Sequence, residues 1–124
     1  MKKKILIVED EFIVALDLEN SLEKLGFTVV ERTASGEEAC RLAFELMPDI
    51  ILMDIMLADG IDGINAAERI KSRFDIPIIF LTGFADSATI NRAQVVCPDG
   101  FLVKPFREKD LLIYCSKVVD AMSS

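Results

Sequence analysis

The chain has 124 residues, enough for one domain with a single buried core. Hydrophobic residues make up 52%, which argues against disorder, and 21 acidic against 14 basic side chains give −7, a balance that disfavours nucleic-acid binding and suits metal cations and basic partner faces. No apolar run approaches the roughly 18 residues of a membrane span, and Met1-Lys2-Lys3-Lys4 with only Ile5 to Val8 behind it is too short for a signal peptide, so a cytoplasmic location is expected.

Lys4 to Val8 reads as a first strand, with Glu9-Asp10-Glu11 at its carboxyl end. From about Glu11 to Leu25, Val14, Ala15, Leu18, Leu22 and Leu25 recur at helical spacing, and Gly26 supplies a stop. Phe27 to Ala34 starts apolar but contains Glu31 and Arg32, which places it at a sheet edge. Ser35-Gly36 opens a helix over about Glu37 to Leu46, with Ala39, Leu42, Ala43 and Leu46 inward, and Met47-Pro48 ends it. Ile50-Ile51-Leu52-Met53-Asp54 is apolar up to its last residue, the pattern of a strand buried on both faces. Leu57 to Gly63 holds two glycines and two aspartates and reads as a loop. A third helix runs from Gly63 or Ile64 to about Phe74, with Ala67 and Ile70 inward, and Asp75-Ile76-Pro77 breaks it. Ile78 to Leu81 is another buried strand ending at Thr82-Gly83, followed by a helix over about Asp86 to Val95 capped by Asp86 or Ser87. Cys97-Pro98-Asp99-Gly100 is a turn, Phe101-Leu102-Val103 a fifth strand ending at Lys104-Pro105, and Glu108 to Met122 a last helix. That helix turns Leu111, Leu112, Cys115, Val118, Val119 and Met122 mostly to one side.

Five strands alternating with five helices predict an α/β fold, a parallel sheet covered on both faces, because parallel strands need crossover connections. One domain over residues 1–124 is expected, closing at Ser123-Ser124 without a second. Cys40, Cys97 and Cys115 show no CxxC or zinc spacing and read as small buried hydrophobes in a reducing compartment. There is no histidine, which excludes Ser-His-Asp and Cys-His catalysis, histidine-ligated metals and phosphohistidine carriage.

In a parallel sheet all carboxyl ends share one edge. That edge gathers Glu9 and Asp10 from the first strand, Asp54 from the third, Thr82 from the fourth and Lys104 from the fifth. Each has an ordinary alternative: acidic residues favour a helix start, Asp54 could cap a turn, Thr82 could be an end-of-strand hydroxyl, and Lys104 could be solvated surface. Together they carry chemistry. Clustered carboxylates repel unless a cation neutralises them, and Mg2+ takes oxygen ligands while keeping water or phosphate oxygens. A lysine can pair with a carboxylate or a phosphoryl oxygen, a threonine hydroxyl can donate to one, and a carboxylate can attack phosphorus. The set matches phosphoryl transfer to Asp54 by positioning and charge neutralisation.

With these residues in Ile7-Val8-Glu9-Asp10-Glu11, Leu52-Met53-Asp54-Ile55-Met56-Leu57, Phe80-Leu81-Thr82-Gly83 and Phe101-Leu102-Val103-Lys104-Pro105-Phe106, the chain resembles a response regulator receiver domain over essentially its whole length. The resemblance implies a flavodoxin-like (βα)5 three-layer sandwich with strand order 2-1-3-4-5. It implies that Glu9, Asp10, Asp54 and the backbone carbonyl of Met56 hold Mg2+. It further implies that Asp54 accepts a phosphoryl group from a histidine kinase or histidine phosphotransfer protein, that Thr82 and Lys104 contact that group, and that Phe101 swings inward as Thr82 moves. A cis Lys104–Pro105 bond is typical of the family. The output would be a partner protein or a fused output domain, reached through the face built from the fourth helix, fifth strand and fifth helix. Phe106, Ile113 and Tyr114 on or near that face could support a homodimer; direct nucleic-acid or membrane binding is not expected.

Three features depart from the family pattern. The loop Ala58-Asp59-Gly60-Ile61-Asp62-Gly63 is one residue longer than usual and lacks the proline common there. Phe101 stands where tyrosine is frequent. Met56 and Phe84, two residues beyond Asp54 and Thr82, are apolar and cannot orient an attacking water, so slow self-dephosphorylation is expected. Met56 also stands where an aspartate-nucleophile phosphatase of the haloacid dehalogenase type needs its general acid, so the chain is not expected to be an enzyme in its own right. A receiver that docks without phosphorylation is the other alternative.

Overall fold

The computed structural model describes residues 2–83 and 86–122. Its elements alternate as β1 (Lys4–Val8), α1 (Phe12–Lys24), β2 (Thr28–Thr33), α2 (Gly36–Leu46), β3 (Ile50–Asp54), α3 (Gly63–Lys71), β4 (Ile78–Thr82), α4 (Ser87–Val95), β5 (Gly100–Val103) and α5 (Glu108–Met122). The strands form one parallel sheet in the order β2-β1-β3-β4-β5. This is the flavodoxin-like arrangement, with β1 and β3 flanking the point where the strand order reverses.

The register explains why the functional end is even. Val8 pairs with Met53, Asp54 with Leu81, and Thr82 with Val103, so the three central strands and β5 finish side by side. Alternation along the strands feeds two cores. Leu6, Val8, Ile51, Met53, Ile78 and Phe80 point to one face and pack with residues of α2, α3 and α4. Ile5, Ile7, Ile50, Leu52, Ile79 and Leu81 point to the other and pack with α1 and α5. All residues of β3 and β4 are buried.

Local chemistry sets the helix starts. Ser35 accepts from the Glu38 N–H at 3.2 Å, Asp62 from the Asn65 N–H at 2.8 Å and Asp86 from the Thr89 N–H at 2.7 Å. Asp86, not Ser87, is thus the cap of α4. Met47, left-handed at φ 44°, closes α2 just before Pro48.

Some sequence expectations move. The third helix stops at Lys71 rather than Phe74; the N–H groups of Arg73 and Phe74 both turn back onto the Ile70 carbonyl, tightening the chain as Phe74 tucks against the core. On α5, Leu111, Cys115 and Val118 are buried, but Leu112 and Met122 are exposed. Leu112 directly follows the buried Leu111, about 100° further round the helix, and so falls outside the inward stripe. Of the cysteines only Cys115 is fully buried; Cys40 is half-buried, and Cys97 is exposed in a left-handed turn at φ 58°.

Candidate functional site

The carboxyl edge brings together the side chains that the sequence singles out. Glu9 follows β1 and is buried, and the Lys104 ammonium reaches it: Nζ lies 2.7 Å from Glu9 Oε1 and 2.9 Å from Asp54 Oδ2. Lys104 gets there because its own N–H donates to the Thr82 carbonyl at 2.8 Å, extending the β4–β5 ladder one residue beyond β5. The Lys104–Pro105 peptide is cis, as the family resemblance implies. Glu9 does not serve α1 as a cap; its Oε2 accepts the Glu11 N–H at 3.1 Å, and α1 has no acidic residue in its first turn.

Carboxylate oxygens of Glu9, Asp10 and Asp54 all lie within 4.8 Å of one another. This is a compact, hard, anionic donor set of the kind that holds Mg2+, with Asp10 half-buried toward solvent. Thr82 ends β4 fully buried. Phe101, on β5, is half-buried with its ring 5.9 Å from that of Phe80, so the aromatic rests against the core below Thr82. The Met56 side chain is exposed, and its N–H donates to Asp54 Oδ1 at 3.0 Å, which folds the backbone after β3 back over the acidic residue. Gly83 leaves room beside the lysine: among the described residues, a Cβ there would meet only Lys104 Cδ, at 3.9 Å. Phe84 lies outside the described residues.

The electrostatics follow from burial. Desolvation pushes the Glu9 carboxyl up to about 7, against the lowering influence of the Lys104 and Glu11 hydrogen bonds, and the nearby Asp54 adds to the rise. Burial alone would lower the Lys104 ammonium, but the hydrogen bonds to Glu9 and Asp54 outweigh it and hold its pKa above the usual lysine value. Without a metal, then, the lysine partly neutralises a cluster that carries more negative charge than one cation can offset.

Two positions matter here that the sequence reading treats only as helix starts. A Cβ on Gly63 would collide with the Asp54 carbonyl, so α3 can begin this close to the acidic residue only with glycine. Glu37, at the start of α2, accepts the Ile61 N–H at 3.3 Å from across the loop. An acid and a D-G pair at helix starts are common enough in sequence to give no distinctive signal.

Comparison with known proteins shows the family. Residues 5–115 match the sequence profile of the response regulator receiver domain. The chain belongs to the response regulator receiver family. The receiver is 36% identical over 110 residues to the transcriptional regulatory protein PdtaR of Mycobacterium tuberculosis, which covers 89% of this chain and 53% of the relative. It is 35% identical over 121 residues to the phyllosphere-induced regulator PhyR of Methylorubrum extorquens, covering 96% and 44%. The chain thus spans about half the length of these curated relatives. In structure it is similar to the signal receiver domain of a modulated diguanylate cyclase from Desulfovibrio desulfuricans, with a TM-score of 0.92 at 39% identity over 98% of this chain and 96% of that one. It is also similar to the BeF3-activated DrrB receiver domain, with a TM-score of 0.82 at 26% identity, covering 97% and 99%. No helix among the described residues is long and apolar enough to cross a membrane.

Proposed function

We propose that this receiver accepts a phosphoryl group on Asp54 from a histidine kinase or histidine phosphotransfer protein, and uses it to remodel the face formed by α4, β5 and α5. The observation that carries the reading is the Lys104 ammonium bridging Glu9 and Asp54, with Asp10 closing the acidic cluster. An Asp54 carboxylate oxygen attacks the phosphorus, and the bond from phosphorus to the donor's histidine nitrogen breaks as that nitrogen takes the electron pair. These 124 residues contain no histidine, so the donor nitrogen lies outside them. Mg2+, held by Glu9, Asp10, Asp54 and the Met56 carbonyl, would neutralise charge on the transferring group. Lys104 lies close enough to Asp54 to move its hydrogen bond from carboxylate to phosphoryl oxygen. The phosphoryl group adds about −1.5 to −2 charge. Thr82 turns its hydroxyl toward that charge, and Phe101 moves into the space beside Phe80. The output is a partner protein or a fused output domain whose affinity for this face depends on which state is populated.

Acetyl phosphate with Mg2+, followed by intact-mass measurement, tests the reading. A phosphate-sized mass gain in the wild type that is absent from Asp54→Ala is expected. No gain from acetyl phosphate or from phosphorylated kinases would favour a receiver that docks without phosphorylation.

A further inference from the structure

The segment between β3 and α3 carries Met56 at one end and is tied down at its neck, its tip and its far end. At its neck the Gly63 N–H donates to the Ile55 carbonyl at 2.9 Å, which brings the two ends together. At its far end Asp62 caps α3 with one oxygen and takes Arg92 of α4 at 3.0 Å with the other. Its tip is held by two successive residues of α2. Ile61 sits directly over Gly36, where a Cβ would come within 2.8 Å of Ile61 Cγ1 and 3.0 Å of the Ile61 carbonyl. Glu37 accepts the Ile61 N–H, and its carboxylate occupies the space where a Cβ of Gly60 would stand, so this placement of Glu37 depends on the glycine that the φ of 74° also favours.

We infer that Glu37 is a positioning residue for the acceptor site: by fixing Gly60 and Ile61 it holds the backbone of the 55–62 segment, and with it Met56, against Asp54. The helix start at α2 serves the site indirectly, through one backbone hydrogen bond. A loop of this length between β3 and α3 has many conformations to choose from, and the Glu37 carboxylate together with the Gly36 seat removes that freedom before a metal or phosphoryl group arrives. Glu37 itself needs only an acceptor oxygen for this, not a charge.

That last point separates positioning from long-range attraction of a cation, and the inference rests on the proposed Mg2+ and phosphoryl chemistry only in its second measurement. The first is amide hydrogen exchange of the metal-free protein. Glu37→Ala should speed exchange at both Ile61 and Met56, whereas Glu37→Gln, which keeps the acceptor, should resemble the wild type at both. The second is calorimetric titration with Mg2+. Glu37→Ala should weaken binding by about tenfold, the lower end for groups that orient metal ligands, with Glu37→Gln close to the wild type. Faster exchange confined to Ile61 would overturn the inference, because the clamp would then not reach Met56. Equal weakening in Glu37→Gln and Glu37→Ala would overturn it too, by assigning the effect to charge. A wild type that binds no Mg2+ would instead count against the metal site, and the exchange result would still decide the clamp.

Discussion

Replacing Lys104 with methionine keeps an aliphatic stem and removes the cation that bridges Glu9 and Asp54. Their side chains are only 0% and 5% exposed. Removing one partner of a buried ion pair costs about 3–5 kcal/mol when the remaining charge has no escape. Here it has one. The Glu9 carboxyl of the wild type already sits at about 7, against an ordinary value of 4.5, and without the lysine it moves higher. A carboxyl whose folded pKa is raised contributes stability that is fully present below its unfolded value and is lost as pH rises through the folded one. The cost of Lys104→Met should therefore be smaller near pH 5.5, where Glu9 carries a proton and only the contact to Asp54 is lost: about 1.5 kcal/mol. Near pH 8.5 it should reach about 2–3 kcal/mol, below the full penalty because Lys104 is partly solvated. Urea unfolding of metal-free protein in EDTA, followed by circular dichroism at both pH values, measures the difference between variant and wild type. Equal destabilisation at the two pH values, or a larger loss at the acidic one, would refute the reasoning.

Other outcomes follow from the same structure. Leu52→Ala empties a fully buried position at the centre of β3 and should cost about 2–5 kcal/mol in denaturant unfolding; a loss under about 1 kcal/mol would mean that the core collapses around the site. Cys115 is buried and its thiol is pushed up to about 12 by desolvation, while Cys97 is exposed. Iodoacetamide at mildly alkaline pH should therefore label Cys97 in the native protein and Cys115 only after unfolding, which peptide mass mapping can check. With an exposed, apolar Met56 beside Asp54, phosphorylated protein should keep its label for minutes or longer without a phosphatase; loss within seconds would contradict a slow self-dephosphorylation.

Much of this architecture can be read from the chain because its strands are short apolar runs whose last residues are polar. Ile50 to Asp54 is the plainest case: continuous apolarity marks burial on both faces, and the carboxylate marks the edge. The same logic placed β2 at an edge from Glu31 and Arg32. What stayed hidden depends on contacts between distant segments or on rotation about a helix axis. Val103 is apolar yet 61% exposed, since β5 is the opposite edge strand and nothing in Phe101-Leu102-Val103 distinguishes it from a central one. Leu112 belongs to an apolar stripe by composition but not by angle. Cys97 reads as a buried hydrophobe until its left-handed turn places it in solvent. At the acidic edge, the residue types announced themselves, but the direct Glu9–Lys104 pairing and the Glu37 clamp on Ile61 span 95 and 24 residues and had no local signature.

The central claim is that the phosphoryl group goes to Asp54 and nowhere else. Borohydride reduction of protein phosphorylated with acetyl phosphate and Mg2+ tests it most directly, because an acyl phosphate on aspartate is reduced to homoserine while phosphate esters of serine or threonine are not. Tandem mass spectrometry should find homoserine at position 54 in the phosphorylated sample and unmodified aspartate in the untreated one. Phosphate retained on Thr82 or another hydroxyl, or homoserine at Asp10 with Asp54 intact, would contradict it.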